Sequence, residues 1–257
     1  MKYPELERLV DIVAVLRSEN GCQWDREQTH KSLRPNMLEE AYEAVDAIDD
    51  NNIPNLREEL GDVLLQVVLH SQIAKDEGEF NIEDVARELS EKLIHRHPHV
   101  FGNKEVHSTD EILSNWDKLK QEEKTYRKSV LDGVSKSQSA LMSAQKISKK
   151  VVKVGFEWDS VESLKKCIES EYKEFEEAVK SGDKAQMEDE MGDIFFATVN
   201  LARWYKIDAE QALLGANKKF TKRWEKMEEL AVKPFEDYTY DEFNELWKQA
   251  KIALKGD

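Results

Sequence analysis

The feature that most restricts what this chain can fold into is an internal repeat. Four acidic residues of the first half recur in the second half, each 131 positions later and in the same order. The first set is Glu40, Glu43, Glu59 and Asp62, and the second set is Glu171, Glu174, Glu190 and Asp193. The segment Gly21–Asp25 also recurs, as Gly155–Asp159. Because the order of the matches is kept, we interpret the halves as a tandem duplication of one module.

Helical spacing of apolar residues dominates both halves, and strand-like alternation is scarce. The chain has only 10 glycines and 5 prolines among 257 residues, so few positions interrupt a helix. One amphipathic helix is predicted around Leu6–Leu16, and three more over residues 36–49, 56–75 and 82–96. We therefore predict an all-α fold of two tandem helical bundles, residues 1–125 and 139–257, joined by a polar, serine-rich linker at 126–138.

The charge balance and the cysteine count restrict the function and the compartment. A net charge of -15 argues against a general nucleic-acid binder, because a phosphate backbone is best met by a basic surface. Two cysteines are too few for a disulfide framework, and the acidic N-terminus lacks the apolar core of a signal peptide. No apolar run approaches the roughly 18 residues of a membrane span. We expect a cytoplasmic protein without nucleic-acid or membrane partners.

The spacing of the repeated acidic residues predicts a cluster of carboxylates. Glu40 and Glu43 are three positions apart and share a helix face, as do Glu59 and Asp62 on the next helix. A short connection around Pro54 makes the two helices antiparallel neighbours, so all four side chains can converge. Outside one narrow polar stripe the second helix is apolar, which is typical of a buried helix. Carboxylates on such a helix are costly unless they are paired or bind a metal.

Four oxygen ligands without histidine or cysteine favour Mg²⁺, with Mn²⁺ as a substitute, over Zn²⁺. Three other interpretations stay open at this point. The acidic face can simply be solvated, or Glu27 and His30, which fit the Glu-x-x-His pattern once, can belong to a di-iron site. The alternating His95, His97 and His99 can form a Zn²⁺ site. The duplication at identical spacing favours the Mg²⁺ interpretation.

At these motifs the sequence resembles the MazG family of nucleoside triphosphate pyrophosphohydrolases, in the all-α NTP pyrophosphatase superfamily. The family signature, Glu-Glu-x-x-Glu followed by Glu-x-x-Asp, is present as Glu39-Glu40-x-x-Glu43 and Glu59-x-x-Asp62. Segments 96–101 and 199–203 also resemble the two-domain members. The resemblance implies a homodimer that hydrolyses ribo- and deoxyribonucleoside triphosphates of several bases with Mg²⁺. The expected products are a nucleoside monophosphate and pyrophosphate.

The resemblance also assigns roles to the repeated acidic residues. It implies that the metal-binding and catalytic residues of the second half are Glu171, Glu174, Glu190 and Asp193. It implies that their metal-binding counterparts in the first half are Glu40, Glu43, Glu59 and Asp62. The second half departs from the signature at one position, where Ser170 stands in place of the first half's Glu39. Because the four inward positions are intact, we expect this position to be peripheral.

Candidate substrate-binding residues lie in the second half. Lys219, Lys222 and Arg223 form a basic cluster on one predicted helix, which is either a triphosphate clamp or a solvated face. Trp247 either packs in the core or stacks on a nucleobase. Asn200 follows Asp193 on nearly the same side of its helix, so its amide can contact the substrate. These residues favour the second half as the main catalytic site.

Two rival functions remain beside broad nucleoside triphosphate hydrolysis. One is a narrower dUTP or phosphoribosyl-ATP pyrophosphohydrolase built on the same scaffold. The other is a non-catalytic helical protein that binds nucleotides or regulators. Turnover measured on a panel of nucleotides distinguishes the first rival from a broad hydrolase. The absence of any turnover with Mg²⁺ or Mn²⁺ identifies the second rival.

Overall fold

The structure is a computed structural model that describes residues 3–106, 108–109, 111–112, 115–116, 119 and 128–254. These residues form helices and connections without any strand, so the predicted all-α class is confirmed. The chain divides into two compact units, Met1–Thr125 and Tyr126–Asp257. In the predicted linker, residues 128–138 form turns and bends, and residues 126 and 127 lie outside the described part.

In both units, the described residues form helices and the connections between them. The helices of unit 1 with both ends described are α1 (Pro4–Arg17), α2 (Gln23–Glu27), α3 (Arg34–Asp49), α4 (Ile53–Asp76), α5 (Ile82–Arg96) and α6 (Pro98–Phe101). Unit 2 contains α7 (Ala140–Val152), α8 (Val161–Ser181), α9 (Lys184–Trp204), α10 (Ala209–Leu230), a 3₁₀ turn (Phe235–Asp237) and α11 (Tyr240–Ala253). In the described part of the chain, no helix is both long and apolar enough to cross a bilayer.

The helices predicted in unit 1 are confirmed, and local signals explain their exact ends. α4 begins three residues earlier than predicted, because the Asn52 side chain accepts a hydrogen bond from the Asn55 amide and Pro54 occupies the first turn. α5 begins at a capping box in which Asn81 and Asp84 each accept a hydrogen bond from the other's backbone amide. The short helices α2 and α6 were not predicted, because they are too short to show a helical period.

A tight helical hairpin forms the centre of each unit. In unit 1, α3 and α4 are joined by residues 50–52 and pack along each other. In unit 2, α8 and α9 are joined by Gly182 and Asp183 alone. Gly182 adopts φ 77°, a left-handed conformation that glycine takes without steric cost, and it ends α8. These short turns set equivalent positions of the paired helices opposite each other.

The core of unit 1 lies beside the hairpin, where α1 covers the second half of α4. Its fully buried apolar residues are Val13, Leu33, Val68, Leu69 and Ile73. Arg17 fixes the end of α1, because its Nε donates to Asp76 Oδ2 at 2.8 Å and its Nη1 donates to the carbonyl of Gln28 at 3.2 Å. The first half of the hairpin therefore stays clear of the main core, and this is the half that carries the repeated acidic residues.

In unit 2, α7 packs against α9, and α10 forms a second hairpin with α11. Met227, Leu246 and Ala250 are buried between α10 and α11, with Phe235, Tyr238 and Trp247 packed around them. α11 begins with a capping box in which Thr239 and Glu242 exchange hydrogen bonds. Bonds from Lys233 and from Thr239 lower the pKa of Glu242 to about 2.

The expectation that the acidic helix of each hairpin is buried on all its apolar sides is wrong for the half that carries the carboxylates. Leu60 of α4 is 55% exposed, and Phe195 of α9 is 58% exposed. The apolar pattern was read correctly, but no other helix described in the same unit covers these side chains. Each unit therefore presents apolar surface beside its acidic residues.

Candidate functional site

Three carboxylates of unit 1 converge on one point of the α3–α4 hairpin. Glu40 and Glu43 reach it from α3 and Glu59 from α4, and one oxygen of each lies within 4.8 Å of the others. Glu43 lies seven residues before the turn at 50–52 and Glu59 seven residues after it, so the antiparallel pairing places them side by side. Glu59 is only 9% exposed although it is a carboxylate. The predicted convergence is thus present for three of the four residues.

The environment of these side chains disfavours their charged forms. Burial is the largest cause of the raised pKa of Glu59. This pKa is raised further by the charges of Glu43 and Asp62 and by a hydrogen bond with Glu43. Burial likewise raises the pKa of Glu40, and the charges of Asp62 and Glu43 add to this effect. Asp62 is outside the group of three oxygens, but it is close enough for its charge to act on both neighbours. A cation would relieve this repulsion.

Unit 2 repeats the arrangement on α8 and α9. Glu171 and Glu174 from α8 and Glu190 from α9 bring one oxygen each within 4.8 Å of the others. Burial raises the pKa of Glu190, and the charges of Glu174 and Asp193 raise it further. Asp193 again lies outside the group of three. The duplication seen in the sequence therefore extends to the geometry of the carboxylates.

Two neighbours of the unit 2 cluster were not predicted to interact with it. Ser170 Oγ donates to Glu174 Oε1 at 3.0 Å, so the residue that replaces the signature glutamate orients a cluster carboxylate. Cys167 Sγ donates to Glu171 Oε1 at 3.4 Å. Burial raises the pKa of this thiol, and the hydrogen bond to Glu171 adds to the shift. Both residues lie one turn before their acceptors, a spacing that would have revealed them.

Gln66 is the corresponding neighbour in unit 1. It is buried on the polar stripe of α4, and its hydrogen bond to Glu40 opposes the rise in the pKa of that carboxyl. Its Oε1 is buried and has no hydrogen-bond partner among the described residues. The equivalent residue of unit 2 is Ala197, so the two clusters differ in their surroundings.

The donor set fits a hard divalent cation better than the alternatives. Carboxylate oxygens gathered this closely suit Mg²⁺ or Mn²⁺, and the buried, unpartnered oxygen of Gln66 adds a polar atom beside the unit 1 cluster. Within the described ranges, the two groups that can hold an ion contain glutamates and no histidine. The Nδ1 of His97 instead pairs with the carbonyl of Leu93 at 2.6 Å. The di-iron and Zn²⁺ interpretations therefore have no geometric support among the described residues.

The basic residues predicted to bind substrate belong to the α10–α11 hairpin. Lys219 and Lys222 are exposed on α10. The guanidinium carbon of Arg223 lies 5.4 Å from the ring centroid of Trp247, and Phe220 lies 5.3 Å from it on the same helix. Trp247 thus packs between two helices and also holds Arg223 by a cation–π contact.

Asn200 occupies a different position from the one predicted. It is 2% exposed, Ser148 Oγ donates to its Oδ1 at 2.5 Å, and its Nδ2 donates to the Phe196 carbonyl at 2.9 Å. The side chain therefore joins α9 to α7 inside unit 2, and both of its amide atoms are hydrogen-bonded there. We assign it to packing between these helices and leave it out of the proposed substrate site.

Comparisons with known proteins agree with the duplicated geometry. The MazG nucleotide pyrophosphohydrolase domain model matches residues 28–101 and 159–227, which contain the two carboxylate clusters. The nucleoside triphosphate pyrophosphohydrolase/pyrophosphatase MazG of Thermotoga maritima is 45% identical over 95% of this chain and 95% of its own length. The nucleoside triphosphate pyrophosphohydrolase of Escherichia coli K12 is 40% identical over 96% of this chain and 97% of its own length.

A further relative matches over a shorter stretch. The nucleoside triphosphate pyrophosphohydrolase of Mycobacterium tuberculosis is 45% identical over 58% of this chain and 46% of its own length. The two domain matches confirm the tandem repeat that the sequence predicted. Because the family model matches a segment of each helical unit and two relatives align over nearly the whole chain, this protein belongs to the MazG nucleotide pyrophosphohydrolase family.

Proposed function

We propose that this chain hydrolyses nucleoside triphosphates, of ribose and deoxyribose type and of several bases, to nucleoside monophosphate and pyrophosphate. The observation that carries the proposal is the convergence of three carboxylates in each unit, inside the segments that match the family model. The names of the aligned relatives support the same reaction. The clusters supply the negative oxygen ligands that an acidic chain needs in order to hold a metal–triphosphate complex.

We further propose Mg²⁺ as the metal, with Mn²⁺ as a substitute. Glu40, Glu43 and Glu59 would hold it in unit 1, with Asp62 beside them, and the equivalent residues of unit 2 are Glu171, Glu174, Glu190 and Asp193. When bound, Mg²⁺ would polarise phosphoryl oxygens and lower the pKa of a coordinated water. The raised pKa values of Glu59 and Glu190 favour such a cation, because each carboxylate gains a counter-charge.

The side chains of the cluster also have a task in proton transfer. A water oxygen forms a bond to the α-phosphorus, the bond from this phosphorus to the bridging oxygen breaks, and pyrophosphate leaves with the electron pair. A carboxylate oxygen that is not engaged by metal accepts the proton of the attacking water.

We propose unit 2 as the main catalytic site, with the basic cluster of α10 as its triphosphate clamp. Lys219 and Lys222 are exposed, so their ammonium groups are accessible to phosphate oxygens. The guanidinium of Arg223 lies over the Trp247 ring, and this contact restricts its orientation. A base stacked near Trp247 would be accepted whatever its identity, because every base has a π-face. This arrangement supports a broad base range over a narrow dUTP or phosphoribosyl-ATP specificity.

We also propose that two copies associate as a homodimer and that the protein works in a reducing cytoplasm. The first proposal is supported by Leu60 and Phe195, which expose apolar surface next to the carboxylates. The second is supported by Cys22 and Cys167, which are both free thiols.

The reaction is tested by measuring pyrophosphate and orthophosphate release from each nucleoside triphosphate, deoxynucleoside triphosphate and phosphoribosyl-ATP, with Mg²⁺, with Mn²⁺ and with EDTA. We expect pyrophosphate with either metal and no turnover in EDTA. Glu190→Gln should lower kcat at least about a hundredfold, because it removes a ligand of the metal that stabilises the developing charge. Glu59→Gln should have a smaller effect if unit 2 is the main site.

Matched control variants lie beside each target. Glu188→Gln and Glu58→Gln remove the same charge from exposed positions of α9 and α4, and they should leave kcat nearly unchanged. Orthophosphate as the product would refute α–β cleavage. A complete lack of turnover with either metal would instead identify a non-catalytic nucleotide-binding protein. Full activity of Glu190→Gln would remove unit 2 as the main site.

A further inference from the structure

Unit 2 contains a cleft that the carboxylate site does not use. The cleft has a volume of about 620 Å³ and lies where the end of α7, the end of α9 and the start of α10 meet. Its lining residues are Gln145, Lys149, Val152, Lys153, Arg203, Lys206, Ile207 and Asp208. Arg203 follows Asp193 by ten residues on α9, which corresponds to about 15 Å along a helix. The cleft is therefore a separate place from the cluster of Glu171, Glu174 and Glu190.

The charge of this cleft is opposite to that of the whole chain. Half of its eight lining residues are cationic, Lys149, Lys153, Arg203 and Lys206, in a protein with a net charge of -15. One lining residue is acidic, but the Asp208 carboxylate already accepts the Gln211 amide at 3.0 Å as the cap of α10. Concentrated positive charge within a concave surface attracts anions more strongly than the same charges on a flat face.

The helix dipole accounts for only some of the cationic residues in this cleft. Cations near a helix C-terminus are favoured by the helix dipole, which explains Lys149 on α7 and Arg203 on α9. Lys206 lies beyond the end of α9 and adopts φ 59°, a left-handed conformation that is uncommon for a residue with a side chain. A glycine or asparagine would meet this backbone requirement more easily. The position nevertheless carries an ammonium group at the wall of the cleft.

Arg203 supplies a fixed donor to the same cleft. Its side chain is only 10% exposed, and its Nη2 donates to Glu157 Oε1 at 2.7 Å. Its Nε is buried and has no hydrogen-bond partner among the described residues. A buried guanidinium N–H without a partner costs free energy that an acceptor would recover. The ion pair with Glu157 holds the group in place, so an incoming anion meets it already oriented.

The remaining polar group of the cleft is already satisfied. Gln145 donates from Nε2 to the Ile207 carbonyl at 2.6 Å and accepts the Ala209 amide at 3.1 Å, so it fixes the connection between α9 and α10. The lining contains no aromatic ring, so a nucleobase would find no stacking surface there. The geometry therefore favours a ligand that consists mainly of phosphate oxygens.

We propose that this cleft binds a compact, multiply charged phosphate anion, of which inorganic pyrophosphate is the test probe. Lys149 and Lys206 meet its outer oxygens, and the Arg203 Nε donates to it from the cleft wall. The site needs no metal, which separates it from the carboxylate clusters. The proposal stands whether or not the chain turns over nucleotides, because binding alone is at issue.

The test is isothermal titration of the full-length chain with inorganic pyrophosphate in EDTA, where the carboxylate clusters lack metal. We expect saturable binding to the wild type. The double variant Lys149→Gln/Lys206→Gly should bind at least about tenfold more weakly, because each lost charged hydrogen bond accounts for roughly a factor of ten. Glycine accepts the left-handed backbone of position 206, so this variant should keep the fold.

Two control variants locate the binding. Lys146→Gln removes an exposed cation from α7 that does not line the cleft, and it should change the affinity by less than about twofold, as expected of a surface charge. Glu190→Gln should bind as the wild type does, since no metal is present. If the double variant unfolds, the single variant Lys149→Gln takes its place in the titration, because this helical position is exposed. Its affinity for pyrophosphate should be weaker than that of the wild type.

Three outcomes would overturn the proposal. They are an absence of saturable binding to the wild type at millimolar pyrophosphate, an unchanged affinity of the Lys149 variants, and an equal loss in Lys146→Gln. The last result would mean diffuse attraction to surface lysines. Titration with inorganic phosphate in place of pyrophosphate shows how many phosphoryl groups the cleft requires, and failure of both anions to bind counts against it.

Discussion

Glu59 and Glu190 are the residues at which stability and function oppose each other. Burial and neighbouring carboxylates raise the pKa of both groups, so the charged form is unfavourable in the metal-free fold. A group whose folded-state pKa is raised stabilises the fold below its unfolded pKa and loses that contribution as the pH rises through the folded value. At neutral pH each charged carboxylate is therefore a local cost, which a bound cation would offset.

The first prediction concerns this opposition at Glu190. In EDTA at neutral pH, Glu190→Gln should raise the thermal midpoint of unfolding, because the amide keeps the shape of the side chain and removes the charge. Addition of Mg²⁺ should raise the midpoint of the wild type more than that of the variant, which keeps only the unit 1 cluster intact. Scanning calorimetry with and without Mg²⁺ measures both effects. Glu188→Gln is the control, and a lower midpoint of Glu190→Gln in EDTA would contradict the prediction.

The second prediction concerns the histidine pair of unit 1. His30 and His70 place their Nδ1 atoms 2.7 Å apart, with rings parallel within 5°. Burial lowers the pKa of His70 from its usual 6.5, and the charge of His30 adds to this effect. Because the lowered value favours neutral His70 in the fold, its stabilising contribution is full above pH 6.5 and declines as the pH falls through the lowered pKa.

Urea unfolding across this pH window tests the sign. The wild type should lose more stability than His70→Gln when the pH falls from above 6.5 into the acid range. Both proteins contain the same other titrating groups, so the difference between their curves isolates the histidine. Parallel curves for the two proteins would mean that His70 titrates alike in the folded and unfolded states.

At the scale of the helices, the sequence predicted well which helices form and poorly which neighbours pack against them. The helical period and the caps determine α3, α4 and α5 locally, so these elements were predicted from residues close to one another. The exposure of Leu60 depends on which other helices lie above it, and no local pattern contains that information. Asn200 was misjudged for the same reason, because a helical wheel does not show that Ser148 of α7 lies opposite.

The third prediction concerns this contact between α7 and α9. Asn200→Ala should destabilise the protein by about 1–3 kcal/mol, because the buried Ser148 hydroxyl loses its acceptor. The positions equivalent to Ser148 and Asn200 in unit 1 hold Ala14 and Leu69. The double variant Ser148→Ala/Asn200→Leu copies that apolar pair and should lose less stability than Asn200→Ala. Denaturant titration measures both, and an equal loss would mean that shape rather than hydrogen bonding decides.

At the scale of the whole molecule, the positions of the clustered carboxylates were predicted more completely than the other features of the surface. The duplicated spacing placed three carboxylates of each unit correctly, since i,i+3 positions and a short turn leave little freedom. Asp62 and Asp193 fell outside the groups of three. The cationic cleft was not predicted, because its residues come from three elements and share no motif.

The fourth prediction concerns the proposed homodimer. Light scattering after gel filtration should give about twice the chain mass of 29.9 kDa. Leu60→Asp and Phe195→Asp each place a charge on exposed apolar surface and should shift the mass toward the monomer. Val232→Asp is the control, since Val232 is exposed outside the two acidic hairpins. A monomeric wild type, or variants that stay dimeric, would contradict this use of the surface.

The short turns of the two hairpins have a consequence for how the chain reaches its fold. A duplicated sequence offers each acidic helix two possible partners, because α3 resembles α8 and α4 resembles α9. Pairing across the repeat would produce a misfolded or domain-swapped molecule. The three-residue turn at 50–52 and the two-residue turn at 182–183 make each correct pairing strictly local, and local contacts close fastest. These short turns thus favour helix pairing within each repeat over pairing between the two repeats while the chain folds.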